Sequence, residues 1–164
     1  MPNHVTHKLI FTGDALEHIV DECCTEGGID FDKLIPTPGH VYLSDTTAED
    51  EKDFPMNWSS WNRLYWGVKW NAYAGSAGRN DDGTAYLKFD TAWGIPYPII
   101  TAFANKFRVQ FEHRYFDEGH NFWGAEKWEE SCGTMRRVMK RKSAEEDKVA
   151  LCIELKGYDP DKEA

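Results

Sequence analysis

The 164-residue sequence predicts a single α+β domain, in which an antiparallel sheet with a split βαβ layout carries two helices on one face. Alternating apolar residues indicate strands at residues 4–12, 84–91 and 107–116. Helical spacing of apolar residues indicates helices at about 15–25 and 98–106. The segments follow the order strand, helix, strand, insertion, strand, helix, strand, and this order favours the split layout.

The N-terminal half supplies the first strand, the first helix and a short second strand. Asp14 can cap the helix that follows the strand at residues 4–12, and Gly27 and Gly28 can end it. A short strand or extended segment is expected around residues 31–35, because the prolines that follow cannot donate to a ladder.

A tryptophan-rich insertion is predicted at about residues 37–83. Its first part is polar and acidic and has no periodicity. Asn57 can cap a short helix, and Gly67 suits the turn that ends it. Residues 75–83 are rich in turn formers and predict a loop.

A C-terminal hairpin and helix are predicted at about residues 121–157. Residues 121–130 can pair with residues 134–139 through a tight turn. A capping box of Ser143 and Glu146 then favours a helix over a strand for residues 144–156.

Composition indicates a globular protein, with 41% hydrophobic and 14% aromatic residues. No apolar run is long enough to span a membrane, and the N-terminus lacks the pattern of a signal peptide, so we expect a soluble cytoplasmic protein of the host cell cytosol. The cysteines lack paired C-x-x-C spacing, and free thiols are therefore expected. The net charge of −9 opposes general binding to nucleic acid.

Five fragments in the first 125 residues are informative together: Met1–Asn3, Phe31–Pro36, Trp66–Ala72, Phe89–Trp93 and Tyr115–Gly119. In this order they resemble the YubB-like ferredoxin-fold proteins of conjugative plasmids and phages. The Trp-Gly-x-Lys-Trp-Asn-Ala and Phe-Asp-Thr-Ala-Trp pieces are the most specific. The resemblance implies a ferredoxin-like fold and an accessory role on a mobile element, and it transfers no catalytic residue.

Four of the seven tryptophans lie between Trp58 and Tyr73, and this density predicts a core or an interface. On the first interpretation, the rings fill the space between the insertion and the sheet. On the second, they wall a recognition cleft in which a lysine and an asparagine bind the ligand, while acidic side chains pair with that lysine. The residues predicted to bind a ligand or partner are Trp66, Lys69, Trp70, Asn71, Tyr73, Trp93, Asp117 and Glu118.

Evidence for an enzyme is incomplete in the sequence. His4-Val5-Thr6 resembles half of the His-x-Thr signature of two-histidine phosphodiesterases, but no second half is present. His113, Glu118 and His120 could meet a metal ion, although their spacing does not specify ligand geometry. We therefore expect no catalytic residue, cofactor or metal. An enzyme would require a solvent-open cleft that holds two titratable groups within hydrogen-bonding reach.

The function predicted from the sequence is a non-enzymatic binding module. It would be a plasmid- or phage-encoded accessory, for example in counter-defence, that sequesters or blocks a host protein or a small ligand. The alternative is a single-stranded nucleic-acid-binding protein that uses a basic run together with the stacking rings of Trp123 and Trp128. Nearby glutamates on the same hairpin oppose this alternative. The basic residues are Arg136, Arg137, Lys140, Arg141 and Lys142.

Overall fold

The computed structural model describes residues 1–41, 57–138 and 144–162 of the protein. The strands are β1 (His4–Thr12), β2 (Cys24–Thr25), β3 (Gly28–Ile29), β4 (Tyr73–Arg79), β5 (Thr84–Ala92), β6 (Phe111–Asp117), β7 (Trp123–Ser131) and β8 (Thr134–Arg137). The helices are α1 (Leu16–Cys23), α2 (Phe31–Leu34), α3 (Trp58–Tyr65), α4 (Tyr97–Phe107) and α5 (Glu145–Lys156), and a 3-10 turn at Gly13–Ala15 precedes α1.

The main sheet has six antiparallel strands in the order β4-β5-β1-β6-β7-β8. Strands β1 and β4 both run antiparallel to β5, so they are parallel to each other and β5 lies between them. In the same way, β1 lies between β5 and β6. The two βαβ units, β1-α1-β4 and β5-α4-β6, therefore interleave in the sheet. This is the split βαβ arrangement of a ferredoxin-like domain, and it confirms the predicted fold class. Strands β7 and β8 extend the sheet beyond β6.

Helices α1 and α4 cover one side of the sheet, which is called the covered face below. Every second side chain of a strand points to the same face, and helical spacing gives each helix an apolar stripe to set against it. Burial of each aliphatic side chain contributes about 1.5–3 kcal/mol. The core between helices and sheet includes Ile19, Ile99, Phe103, Leu9, Leu87 and Phe111.

Helix α5 packs on the opposite face of the sheet. A small apolar cluster of Phe116, Leu151 and Leu155 holds it there. Glu154 supplements the cluster by accepting two hydrogen bonds of 2.8 Å from Arg114 Nη1. The predicted C-terminal hairpin and helix are therefore both present, although Ser143, the predicted cap of this helix, lies outside the described residues.

The second strand of the core was predicted in the wrong place. Residues 31–34 form α2, because the Asp30 side chain caps it by accepting a hydrogen bond from the backbone N–H of Asp32. The second core strand is β4, which occupies most of the predicted loop at residues 75–83. The segment inserted into the core thus lies between α1 and β4 instead of at residues 37–83.

Two glycines explain why β4 resembled a loop in the sequence. A Cβ atom on Gly78 would lie 2.9 Å from the Tyr86 hydroxyl oxygen, and one on Gly75 would lie 2.7 Å from Gly28 Cα. The ring of Tyr86 on the neighbouring strand and the backbone of β3 therefore need glycine at these positions. Close approach of this kind is a recognised reason for glycine inside a strand.

Helix boundaries follow local signals in most places. The Asn57 side chain accepts a hydrogen bond from the Ser60 backbone N–H at 3.0 Å, which confirms the predicted cap of α3. Gly157, at φ 82°, ends α5 as predicted. Asp14 does not cap α1 and lies in the 3-10 turn, where no side-chain cap forms. Among the described helices, none has both the length and the apolar character needed to cross a bilayer.

Candidate functional site

Trp66 belongs to the core and does not line an open cleft. Its side chain is 5% exposed, and its Nε1–H donates to the Ile35 carbonyl at 2.9 Å. The ring meets Phe31 and Trp61 edge-on at centroid distances of 5.9 and 5.5 Å. These contacts connect the inserted segment to the covered face. For Trp66, the first interpretation of the tryptophan cluster therefore applies.

Asn71 fixes the backbone of the inserted segment. Its Oδ1 accepts from the Phe31 backbone N–H at 2.9 Å, and its Nδ2 donates to Asp30 Oδ1 at 2.8 Å. The same Oδ1 also accepts from the Ala72 backbone N–H. Because these bonds use both polar atoms of the amide, Asn71 acts as a structural tie between α2 and the start of β4.

Lys69, Trp70 and Trp93 come together at the protein surface, and we call this group the Trp93 patch. The two indole rings lie 5.3 Å apart at an angle of 60°. Lys69 Nζ lies 5.5 Å from the centroid of the Trp70 ring and 5.8 Å from that of Trp93. This is the arrangement of a cation–π contact. The Trp93 side chain is 50% exposed, so about half of a large aromatic surface faces solvent.

The backbone of Trp93 is strained. Its φ angle is 62°, in the left-handed region that bulky side chains rarely adopt. The hydrogen bond from its backbone N–H to the Asn3 carbonyl, at 2.8 Å, holds this conformation at the end of β5. Strained residues of this type concentrate at functional sites, where the surrounding structure compensates for the strain.

The acidic residues predicted to pair with Lys69 do not reach it. Asp117 Oδ2 accepts from Asn121 Nδ2 at 2.8 Å, within the turn that follows β6. Glu118 Oε1 accepts from the backbone N–H of His4 at 2.8 Å. Tyr73 also leaves the predicted cluster, since its hydroxyl forms a hydrogen bond with His4 Nδ1. The structure therefore divides the eight predicted residues into a core group, the Trp93 patch, the two residues that bind His4, and Asp117 in its own turn.

Two histidines form a buried pair on the covered face. His7 Nδ1 and His113 Nε2 lie 2.9 Å apart, and His7 Nε2 lies 2.7 Å from the Thr91 hydroxyl oxygen. That hydroxyl donates to the Gly94 carbonyl at 2.6 Å. Burial lowers the pKa of His113 to about 3. Burial, with a smaller contribution from His113, also holds the pKa of His7 well below its usual value.

The predicted metal ligands do not converge. His113 lies inside the protein against His7, whereas the ring of His120 bonds the Tyr158 hydroxyl at 2.8 Å. Glu118 binds the backbone of β1, as described above. Among the described residues, no group of three or more histidine, cysteine, aspartate or glutamate side chains is arranged to hold a metal ion.

His4 and Thr6 line a solvent-open hollow on the face of the sheet that carries α5. We call it the β1–β5 hollow, and its volume is about 300 Å³. Burial raises the pKa of the neighbouring Tyr73 to about 12, and the nearby charges of Asp90 and Glu118 add to this effect. The sequence analysis named His4, Thr6 and Glu118 as candidates, but it did not bring them together in one site. The pairing of β1 with β5 and the position of α5 supply the remaining groups.

The residues proposed to stack nucleic acid are engaged within the protein. Trp128 is buried and stacks on Phe111, and Trp123 Nε1–H donates to the Ala144 carbonyl. Arg137 forms an ion pair of 3.2 Å with Glu126, while Arg136 is exposed on β8. The other members of the basic run, Lys140, Arg141 and Lys142, lie outside the described residues.

Comparison with known proteins identifies the family of this domain. The family described as "Ferredoxin-like domain in Api92-like protein" matches residues 69–150, which is half of the chain. The chain belongs to this family. No curated protein matches it.

The Api92-like ferredoxin domain has a solved relative, the crystal structure of a protein api92 from Yersinia pseudotuberculosis. The two share 13% identity with a TM-score of 0.40. The match covers 51% of this chain and 31% of the relative, so this chain spans about a third of that protein.

The segment matched to the Api92-like family contains the complete Trp93 patch. It begins at Lys69, includes β4 to β8, and ends at Ala150 within α5. Strand β1 lies before the matched segment, although it is a central strand of the sheet. The β1–β5 hollow therefore combines matched residues with others on either side of the match.

Proposed function

We propose that this Api92-like domain is a non-enzymatic binding module that engages a host protein through the Trp93 patch. Binding would sequester the partner or block its surface. The two indole rings would anchor the contact, and Lys69 would provide a directional charge beside them. Tryptophan is among the residues that contribute most to binding energy at protein interfaces.

The exposure of Trp93 carries the proposal. Half of its ring surface is open to solvent, and the backbone that positions it is in a left-handed conformation. Each feature is unfavourable in the isolated domain, because an exposed indole gains no burial energy and a left-handed tryptophan is strained. A partner that covers the ring would recover the burial energy.

Charge indicates the chemistry of that partner. The chain has a net charge of −9, and long-range attraction between opposite charges raises the rate of productive encounters. The proposed partner is therefore a basic protein that presents an apolar or aromatic side chain. That side chain would stack on Trp93 and Trp70.

The biological setting of the proposal rests on the resemblance described in the sequence analysis. YubB-like proteins occur on conjugative plasmids and phages, and we place this protein among their accessory functions in the host cytoplasm. An accessory that neutralises a host factor, including a defence protein, needs only tight and specific binding. Such a role would require a recognition surface and no catalytic group.

The experiment compares the capture of host proteins by the wild type and three variants. Tagged wild-type protein, Trp93→Ala, Trp70→Ala and the control Leu64→Ala are incubated with host lysate, and bound proteins are quantified by mass spectrometry. Leu64 is a suitable control because it is an exposed apolar residue on α3 and lies outside the Trp93 patch. Circular dichroism and urea unfolding verify that each variant is folded.

The proposal requires a specific pattern. A basic protein should be enriched by wild type and by Leu64→Ala, and its recovery should fall at least about tenfold with either tryptophan variant, a difference of about 1.4 kcal/mol. Direct titration of the purified partner should give the same ranking. If both folded tryptophan variants recover the protein as well as wild type does, the proposal is contradicted.

A further inference from the structure

The β1–β5 hollow is a second site, separate from the Trp93 patch. It is bounded by β1, β5, the bulged start of β4, the turn after β6 and the last turns of α5. Its volume of about 300 Å³ is at the lower end of the range for small-molecule sites. The polar side chains that line it are His4, Thr6, Lys88, Asp90, Glu118 and Lys156.

Several of these side chains are held in place by the protein. The Thr6 hydroxyl donates to Asp90 Oδ1 at 2.7 Å, and Lys156 Nζ donates to the His4 carbonyl at 2.9 Å. Glu118 Oε1 accepts from the His4 backbone N–H. Fixed side chains reduce the conformational entropy that a ligand must overcome on binding.

The same groups retain hydrogen-bonding capacity for a ligand. An ammonium group has three donors and a carboxylate has two acceptor oxygens, whereas Lys156, Asp90 and Glu118 each use only part of this capacity in the bonds above. Lys88 is half-buried and forms no ion pair with any residue that the structure describes. Its neighbour across the strands, Lys8, pairs instead with Glu154 at 3.4 Å.

The backbone at the rim of the hollow is irregular. The pairing of β4 with β5 shifts register between Tyr73 and Ser76, and Ala74 has a φ of 52°. A bulge twists the edge strand locally, and bulges are over-represented beside binding and catalytic sites. Here the bulge positions Ala74 on the wall of the hollow and directs the Tyr73 hydroxyl to His4.

The charges in the hollow select the class of ligand. Two lysines and two carboxylates give a formal charge of zero, so a ligand with a net charge would leave one group unpaired in a partly enclosed space. Lys88 and Asp90 are two residues apart on one strand, so they project from the same face about 7 Å apart along it. A ligand with one negative and one positive group would match this alternation.

We propose that the β1–β5 hollow binds a small zwitterion of the free amino acid class. The carboxylate of the ligand would bind Lys88 and Lys156, and its ammonium group would bind Asp90 and Glu118. His4, fixed by Tyr73, would provide a further hydrogen bond. This site is independent of partner binding at the Trp93 patch, and its test does not involve the tryptophans.

The test is isothermal titration calorimetry of the wild-type protein against each of the twenty standard amino acids. Propionate, ethylamine, inorganic phosphate and an amino acid blocked at both ends are titrated in parallel. At least one free amino acid should bind, and each of the four comparison compounds should bind at least about tenfold more weakly. Equal binding of propionate or phosphate would show an anion site and overturn the proposal. Binding of no amino acid would also overturn it.

Three substitutions locate the binding. Lys88→Met, Asp90→Asn and Glu118→Gln should each lower the affinity at least about tenfold, because each removes one charge from the alternation. Lys106→Met is the matched control, since Lys106 is an exposed lysine of α4 on the other side of the sheet. Circular dichroism confirms folding. Unchanged affinity in all three folded variants would contradict the assignment of the hollow.

Discussion

The covered face of the sheet and the Trp93 patch use tryptophan in opposite ways. Trp61 and Trp66 are packed in the core, whereas Trp70 and Trp93 lie at the surface with a lysine over their rings. Three of these four rings come from one short stretch of sequence. The comparison shows that aromatic density along the chain does not indicate a single cluster in space. The turn at Gly67, with φ 81°, separates the two groups.

Histidine shows the same contrast on strand β1. His7 points to the covered face and is buried against His113, while His4 points to the opposite face and lines the β1–β5 hollow. They are three positions apart on the strand, and successive strand residues alternate between faces. The contrast leads to four predictions, which follow from the largest expected effect to the smallest.

Replacing a core tryptophan should be far more damaging than replacing one in the patch. Trp66→Ala removes a buried ring and the hydrogen bond to Ile35, so we expect the free energy of unfolding to fall by about 3–5 kcal/mol. Trp70→Ala should change it by no more than about 1 kcal/mol. Urea unfolding followed by circular dichroism measures both. Equal losses would mean that the two regions do not differ as described.

The buried histidine pair should make stability depend on pH. Well above pH 6.5 the histidines are neutral in both the folded and the unfolded chain, so their burial does not lower the free energy of unfolding through protonation. As the pH falls from 6.5 towards 3, unfolded His113 gains a proton that the folded protein excludes, and stability is lost. At pH 5, which is about 1.5 units below the ordinary pKa of 6.5, this loss is about 2 kcal/mol for His113, at about 1.4 kcal/mol per pH unit.

Urea unfolding at pH 7 and pH 5 tests the histidine pair. His113→Gln should lose less stability between the two pH values than wild type does. Thr91→Val is the control, because it removes the hydroxyl beside His7 without removing a titratable group. It should lower stability at both pH values and keep the wild-type difference between them. If His113→Gln also keeps that difference, burial of the pair is not its source.

The strained backbone at Trp93 predicts an unusual order among its variants. Glycine adopts a positive φ without strain, whereas a β-branched residue at this φ is strongly disfavoured. Trp93→Gly should therefore be more stable than Trp93→Val by about 1 kcal/mol. Thermal and urea unfolding of the two variants provide the measurement. The reverse order would exclude a left-handed conformation at this position.

The smallest expected effect concerns Lys69. A cation–π contact at an exposed site contributes about 0.5–1 kcal/mol, so Lys69→Met should reduce stability by no more than that amount. A lysine in the core would behave differently, because its removal would change packing as well. Urea unfolding of Lys69→Met beside Trp66→Ala compares the two regions in one experiment. A loss of several kcal/mol would assign Lys69 to the core.

Much of the fold could be predicted from local patterns. Alternation located β1 and β5, and apolar spacing with proline located α4. The edge strand β4 was missed, because its pairing with β5 and the close approach of other backbone dictate its glycines. Local propensity favours a turn for such a segment, and only the partner strand overrides it.

The candidate site was predicted less completely than the fold. Lys69, Trp70 and Trp93 do meet, as expected, but Trp66 and Asn71 became structural and Asp117 and Glu118 lie elsewhere. The hydrogen-bond partners of His4 come from β4, the turn after β6 and α5. No sequence pattern connects these residues, because they lie on distant segments. They meet only when α5 packs on the sheet through a few apolar and charged contacts.

The sequence alone determined the α+β class, the alternation of buried and exposed positions on the main strands, and the concentration of indole rings near the middle of the chain. Side-chain period and helix signals are local properties, so they can be identified without coordinates. Only the tertiary structure decided which rings are buried, which strand completes the sheet and which charges share the β1–β5 hollow. These outcomes depend on register and packing between distant segments, where a shift of one residue would turn every side chain of a strand to the other face.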